Sequence, residues 1–406
     1  MPGLKDAYSL GMSAHGAVGR WLGGWALPPA QLFLEVTDRC NLDCRMCFYR
    51  GTLGEAVAAM PPDADHLSAD EIERVVRDLP TARLVSLSGG EPFARADLFQ
   101  VLERLARLRL VTVETNGTLL GEDGARRLAS LGSRGLPRPG LAAVDFSILG
   151  PRDVHDGIAR RPGSFDLALT ALRALRDERD RLGRPFPKIT LKSAVLKENL
   201  GALEELAELA RGERVDYFVL KEEDPGKVTL RPAADGVLAR GEGTKAPRAE
   251  SLDGLAGRLS AILASFAASG GPTEAFLIPL DLTPDHLEHH IRKAVNLAEA
   301  SCRHPWSRVG VLPRGEVYAC KLFSTRSVRE HSIRTIWNGP EFRAFRSRLR
   351  ADGPFESCVG CCFLEPGPAT AAATAAEPGA APSAWPPLST AASAATGATP
   401  LTIPTR

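Results

Sequence analysis

The 406-residue sequence predicts an α/β chain built from parallel βα units. Three observations carry that expectation. Six short β-type runs lie between residue 27 and about residue 225, amphipathic helical patterns separate most of them, and a group of cysteines begins four residues after the first run. Residue patterning alone leaves two architectures open, an α/β barrel and an open doubly wound sheet. In both, chemistry gathers at the carboxyl ends of the strands, where that first cysteine group falls.

Taken in order, residues 1–26 form an N-terminal extension, Gly-rich around Trp21 and Trp25. The first strand is QLFLEV at 31–36. A capping box, Ser68 with Glu71, starts a helix whose Ile72, Val75, Val76 and Leu79 recur at helical spacing. The strand RLVSLS (83–88) precedes a helix with Leu98, Val101, Leu102 and Leu105 on one face. LVTVET (110–115), AAVDFSI (142–148) and KITLKSAVL (188–196) follow. A helix marked by Leu203, Leu206, Ala207 and Ala210 then leads to VDYFVL (215–220). Residues 226–300, rich in Gly, Ala and charge, read as a linker with a helix over 284–299. Residues 301–366 are compact and Cys-marked. From 367 to 406 the chain is mostly Ala, Thr, Pro, Ser and Gly with two charges, Glu377 and Arg406; it has little to bury and is expected to be disordered.

Fifty basic and forty-nine acidic side chains give a formal net charge of +1. That balance argues against a protein that holds nucleic acid or an anionic membrane by bulk electrostatics. Charges interrupt every apolar stretch before the ~20 residues needed to span a bilayer, and no secretory h-region is present. The expectation is a soluble cytoplasmic chain with no nucleic-acid or membrane partner.

The eight cysteines are clustered at the two ends, with none in the 254 residues between Cys47 and Cys302. In a long chain such clusters bind metal or do redox work more often than they form a disulfide framework. Cys40-Asn-Leu-Asp-Cys44-Arg-Met-Cys47 is a C-x3-C-x2-C loop. Three thiolates so spaced can hold one face of a cubane iron–sulfur cluster and leave the fourth iron open to a ligand. Structural zinc wants four protein ligands, and the nearest histidine, His66, is nineteen residues past Cys47.

Here the sequence resembles the radical S-adenosylmethionine (SAM) superfamily, whose signature is CxxxCxxC after the first barrel strand. Ser88-Gly89-Gly90-Glu91-Pro92 is similar to its GGEP motif, Glu114-Thr115-Asn116-Gly117 to its TNG turn, and His155-Asp156 with Gly163-Ser164-Phe165 to its "HD…GxF" stretch. Taken singly, Gly89-Gly90 and Asn116-Gly117 read as turns and His155 as a helix-start or surface residue; their order makes them a set. The resemblance covers about residues 30–225 and implies a partial (β/α)6 TIM-like barrel. It further implies a [4Fe–4S] cluster on Cys40, Cys44 and Cys47, with SAM contacted by Gly89, Gly90, Glu91, Asn116, Ser147 and Arg161. Two positions depart from the family pattern. Met46 stands where many relatives place an aromatic residue, and Ser147-Ile148-Leu149-Gly150 stands where many peptide-modifying relatives read S-x-D-G.

Cys302 and Cys320 are separated by seventeen residues, with Gly315 five before the second. Val317-Tyr318-Ala319-Cys320 reads as one strand of a hairpin turning at Pro313-Arg314-Gly315, and Cys358-Val-Gly-Cys361 as a knuckle after a helix around 340–350. Four thiolates in this layout suit zinc or an iron–sulfur cluster. The stretch resembles the SPASM/twitch extension of radical SAM enzymes, a β-hairpin plus helix. Five cysteines fit its single-cluster twitch form, hence one auxiliary [4Fe–4S] cluster on Cys302, Cys320, Cys358 and Cys361, with Cys362 as the alternative fourth ligand.

The resemblance implies an enzyme that reductively cleaves SAM to a 5′-deoxyadenosyl radical and takes a hydrogen atom from a substrate. The leading expectation is dehydrogenation of a small metabolite, with the auxiliary cluster as electron acceptor. The alternative is maturation of a ribosomally made peptide through thioether or carbon–carbon cross-links. A non-enzymatic iron–sulfur or zinc module is the alternative class. An external electron donor such as a flavodoxin or ferredoxin is implied. With 39 residues before Cys40, neither a fused leader-binding domain of ~80 residues nor a cobalamin-binding domain is expected.

Overall fold

Helix α1 (Leu4–Trp21) leads into the first strand, β1 (Gln31–Glu35), and from there strand and helix alternate. The structure is a computed structural model that describes residues 4–47, 65–222, 228–232, 238–240, 252–278, 282–292, 295–320, 323–355, 358, 361 and 363–365. Cys362 and the tail expected to be disordered lie outside the described residues.

The barrel half runs α2 (Ala69–Asp78), β2 (Leu84–Ser88), α3 (Leu98–Ala106), β3 (Leu110–Thr115), α4 (Glu122–Leu131) and β4 (Gly140–Ser147). It continues through α5 (Arg152–Ala159), α6 (Ser164–Arg181), β5 (Lys188–Val195), α7 (Leu203–Gly212) and β6 (Tyr217–Glu222). The capping box at the start of α2 forms as expected: Ser68 Oγ accepts from Glu71 N and the Glu71 carboxylate accepts from Ser68 N. A separate antiparallel pair, β7 (Val228–Pro232) with β8 (Leu238–Arg240), follows, then α8 (Leu255–Ser269), β9 (Glu274–Ile278) and α9 (Pro284–Ile291). The C-terminal part comprises α10 (His304–Ser307), β10 (Arg308–Val311), β11 (Glu316–Cys320), β12 (Phe323–Ser327), α11 (Ile333–Trp337) and α12 (Pro340–Asp352).

Apart from the β7–β8 pair, the strands form one ten-stranded sheet in the order β12-β11-β10-β1-β2-β3-β4-β5-β6-β9. Every neighbouring pair from β10 to β9 is parallel, while β10–β11 and β11–β12 are antiparallel. The six expected strands are thus extended at both edges. Strand β9 comes from the stretch read as a linker and pairs with β6. The Cys-marked hairpin, read as a separate domain, pairs with β1 through β10. The exposed backbone of an edge strand is a ready template, and here the chain's own C-terminal part covers β1. The helix expected over 284–299 ends at Ile291. Beyond it Asn296 accepts a hydrogen bond from Ala298 N through its side chain, a local bond that competes with helix continuation.

Alternation along the strands sorts the two faces. Leu32, Leu34, Val85, Leu87, Val111, Val113, Val144, Phe146, Ile189, Leu191, Phe218 and Leu220 are fully buried in the main core, packed with the helices. The other face is polar. Gln31 Nε2 donates to Ser86 Oγ at 2.9 Å and Thr112 Oγ1 to the same oxygen at 3.0 Å, a hydrogen-bonded layer across β1, β2 and β3.

Candidate active site

The Cys40 loop leaves the carboxyl end of β1 and is pinned from three sides. From β2, Gly90 N donates to Thr37 O at 2.8 Å and Glu91 N to Arg39 O at 2.6 Å. That approach explains the two glycines: a Cβ at Gly89 (φ +143°) or at Gly90 would stand 2.2 Å from the carbonyl oxygen of Thr37 or Arg39. From β3, Asn116 Nδ2 donates to Asn41 Oδ1 at 3.0 Å and lies 3.7 Å from Cys40 Sγ, while Asn41 Nδ2 donates to Thr118 Oγ1 at 2.7 Å. From α5, Ile158 O accepts from Arg45 N at 3.0 Å, and Arg161 Nη1 reaches Asn41 O at 3.5 Å.

Glu91 has no exposed surface. Its carboxylate accepts from Thr115 Oγ1 (2.7 Å), Asn116 N (2.7 Å) and Phe93 N (3.0 Å), so it ties the GGEP stretch to the TNG turn. Burial pushes its carboxyl up to about 7 against the lowering effect of those hydrogen bonds. Among the expected SAM contacts, Glu91 is therefore internally engaged and acts by position. Ser147 ends β4 half-buried, in register with Lys192 of β5.

The "HD…GxF" stretch is architectural. His155 Nδ1 accepts from Leu149 N at 3.1 Å, and burial pushes its imidazole down to about 4, so it is neutral. Asp156 accepts from Gly163 N, Ser164 Oγ and Phe165 N, at 2.7, 2.8 and 2.8 Å, and caps α6.

None of the three loop cysteines is in a disulfide, and Cys40 and Cys47 both lie near enough to act on Cys44. Burial first, then Cys40 and Cys47, pushes the Cys44 thiol up to about 12. Leu42 N donates to Cys40 Sγ at 3.4 Å, the kind of backbone bond to sulfur that steadies a cluster thiolate. In the C-terminal part, burial and the neighbouring Cys320 and Cys358 raise the Cys302 thiol. Ala300, Cys358 and Leu364 share a small apolar cluster against which Cys361 packs. Among the described residues no three His, Cys, Asp or Glu side chains converge at single-ion spacing. A cubane gives each thiolate its own iron and needs no such convergence, so this spacing does not count against cluster ligation by either donor set.

Sequence reading missed the charges between the strands on the polar face. Lys192 Nζ lies 2.9 Å from Glu114 Oε2 and 3.7 Å from Asp145 Oδ2, and Lys221 Nζ 4.0 Å from Glu114 Oε1. Burial raises the Asp145 carboxyl, with Lys192 opposing it. The signal was present as Glu, Asp, Lys and Lys near the ends of β3, β4, β5 and β6, at positions alternating with core residues.

Two family models match the chain. The radical SAM superfamily model covers residues 34–210, and the SPASM model, an iron–sulfur cluster-binding domain, covers residues 302–362. This chain is a radical SAM enzyme with a C-terminal SPASM domain. SAM, a [4Fe–4S] cluster and auxiliary iron–sulfur ligation come with that membership, and the zinc reading of the second cysteine group falls away.

Among curated relatives, the chain is 25% identical to the pre-heme d1 synthase of Dinoroseobacter shibae over 359 residues, 82% of this chain and 79% of that protein. It is 27% identical to the PqqA peptide cyclase of Rhizobium meliloti over 354 residues, 82% and 80% of the two chains. Among solved structures, Streptococcus suis SuiB bound to the precursor peptide SuiA superposes with a TM-score of 0.57 at 17% identity, covering 85% of this chain and 73% of that one. Native anSMEcpe with bound AdoMet and Cp18Cys peptide gives 0.53 at 14%, covering 82% and 86%. These structures share the fold. No helix among the described residues is long and apolar enough to cross a membrane.

Proposed function

We propose that this radical SAM enzyme is an oxidoreductase that dehydrogenates a small polar substrate held on the charged face of the sheet. Cys40, Cys44 and Cys47 are the ligands of the SAM-binding cluster, with Gly89, Gly90, Asn116, Ser147 and Arg161 around SAM and Glu91 positioning Asn116. Cys302, Cys320, Cys358 and Cys361 hold one auxiliary cluster. Bound there, cluster and SAM supply the radical that removes a hydrogen atom. The chain's own part is to orient the substrate through Glu114, Asp145, Lys192 and Lys221 and to give the remaining electron an exit along the same sheet.

The observation that carries this reading is the shared sheet. Strand β11, which ends in Cys320, is joined to β1 through β10 alone; because it runs antiparallel to both, Cys320 lies level with the start of β1, two strand spacings across and about 13 Å along the strand from Glu35. A second reading, maturation of a peptide, draws on the fold shared with peptide-bound SuiB and anSMEcpe and on the PqqA cyclase similarity.

The test is anaerobic reconstitution of the full chain with SAM and a reductant, aiming at about eight irons per chain. Wild type should release 5′-deoxyadenosine, and Cys40→Ala should not. With substrate, Cys320→Ala should still cleave SAM yet fail to form the two-electron-oxidised product. A cross-linked peptide as product would replace the oxidation reading with the second one. Wild-type 5′-deoxyadenosine from Cys40→Ala would remove the ligand assignment.

A further inference from the structure

Two carboxylates sit where β1 leaves the sheet for the cysteine loop. Glu35 is the last residue of the strand and Asp38 lies two residues before Cys40; they are 8% and 6% exposed. A buried carboxylate is costly unless partnered, and both find partners on the same β10–β11 hairpin. Tyr318 Oη donates to Glu35 Oε1 at 2.8 Å. Arg314, in the hairpin turn, donates from Nη1 to Asp38 Oδ2 at 2.5 Å.

Neither contact is incidental to its surroundings. Tyr318 reaches Glu35 by lying across Gly310 of β10, where a Cβ would stand 2.0 Å from the ring carbon Cζ. A glycine inside a strand weakens it and marks such a close approach. Asp38 is also held by His66 Nε2 at 3.0 Å, and the carbonyl of Pro313, beside Arg314, accepts from Leu67 N at 2.8 Å. The β1–β10 ladder ends at Leu34–Val311, so past that point the hairpin holds the departing chain through these side chains.

We infer that Tyr318 and Arg314 are positioning residues for the radical SAM site, a two-point clamp by which the SPASM hairpin fixes the exit of β1 and hence the Cys40 loop. The inference rests on the assignment of Cys40 as a cluster ligand and is independent of the substrate and of the oxidation. Tyr318→Phe keeps the ring over Gly310 and deletes the hydroxyl. Arg314→Met keeps much of the stem and deletes the charge, and Arg314→Lys returns the charge.

Amide hydrogen exchange on the full chain without iron is the first readout, because it needs no working cluster. Exchange over Val36–Asn41 should quicken at least about fivefold in Tyr318→Phe and in Arg314→Met, with β4, β5 and β6 unchanged. In reconstituted protein the SAM dissociation constant should rise by a similar factor. The SAM-induced change in the electron paramagnetic resonance of the reduced cluster should weaken, and Arg314→Lys should recover part of both. Faster exchange confined to 308–327, with Val36–Asn41 and SAM affinity at wild-type values, would overturn the clamp. Equal quickening through β4–β6 in all three variants would overturn it too, leaving the contacts as general staples. A Cys40→Ala protein that still assembles the SAM cluster would instead break the ligand assignment, a separate result.

Discussion

Replacing Glu91 by Gln tests the reading that this carboxylate is a strut between two motifs. The carboxylate receives three donors, two on Oε1 (Thr115 Oγ1 and Phe93 N) and one on Oε2 (Asn116 N). A carboxamide has one acceptor oxygen. In its better orientation it keeps Thr115 and Phe93 and turns its NH2 on the Asn116 N–H, losing one bond and setting two buried donors face to face. The expected cost is about 1–3 kcal/mol, with Asn116 displaced from Asn41 and Cys40. The pH dependence adds a second signature. The folded carboxyl, raised to about 7, stands above its ordinary 4.5. Wild type therefore has the full contribution of this group below pH 4.5 and loses it as pH rises through 7, about 3 kcal/mol in all. Glutamine does not titrate. Urea unfolding of the iron-free chain at pH 5.5 and pH 8 should show wild type ahead by more at the lower pH, and the reconstituted variant should cleave SAM more slowly. A gap independent of pH, or a variant as stable and as active as wild type, would refute the strut.

Asp156→Ala removes three hydrogen bonds at the start of α6 and should cost about 2–3 kcal/mol by urea unfolding. Although burial opposes it, bonds from Phe165, Gly163 and Ser164 hold this carboxyl below its ordinary value, so the loss should shrink as pH falls toward 3. Leu149→Asp puts a carboxylate into an apolar cluster with Ile158, Ala194 and Leu196, and should lower the unfolding free energy by about 3 kcal/mol or more. Lys192→Met leaves Glu114 and Asp145 without their nearest shared cation; substrate KM should rise, and a stability loss of about 1–3 kcal/mol should be greater at pH 8 than at pH 5.

The βα order, the α2 capping box and the Pro313–Gly315 turn were legible because each is set by short-range chemistry. Periodicity, a cap and turn residues leave local traces. The Glu91 strut and the Asp156 cap lie inside recognised motifs, but which way each side chain points depends on a strand 24 residues away or a turn nine residues on. The edge pairing of β10 with β1 joins residues 277 apart, and no local pattern announces it. The two departures from the family pattern were read separately, and the structure brings them together. Met46 packs on the cluster that contains Leu149, so an apolar residue before the third cysteine sits with an apolar residue where relatives carry an acid. A carboxylate at 149 would enter the apolar cluster on which that sulfur-bearing side chain packs.

Register links the two cysteine groups more tightly than their sequence separation suggests. Strand β10 reads Arg-Val-Gly-Val, with one glycine. Tyr318 pairs opposite that glycine and occupies the volume a side chain would need. Sliding β11 by two residues would bring Arg308 or Leu312 under the ring, and sliding it by one would turn Tyr318 to the other face of the sheet, away from Glu35. One register is therefore permitted, and it fixes β11 relative to β1 as well as to β10, because the hydroxyl ends on Glu35. Cys320 comes two residues later, past a bulge in the β11–β12 pairing that re-aims the strand end. The same glycine that admits the tyrosine thus sets where Cys320, a proposed auxiliary-cluster ligand, stands with respect to the Cys40 loop. On the proposed oxidation, in which an electron passes from one site to the other, that relationship must be held constant, and a hairpin free to slip could not hold it.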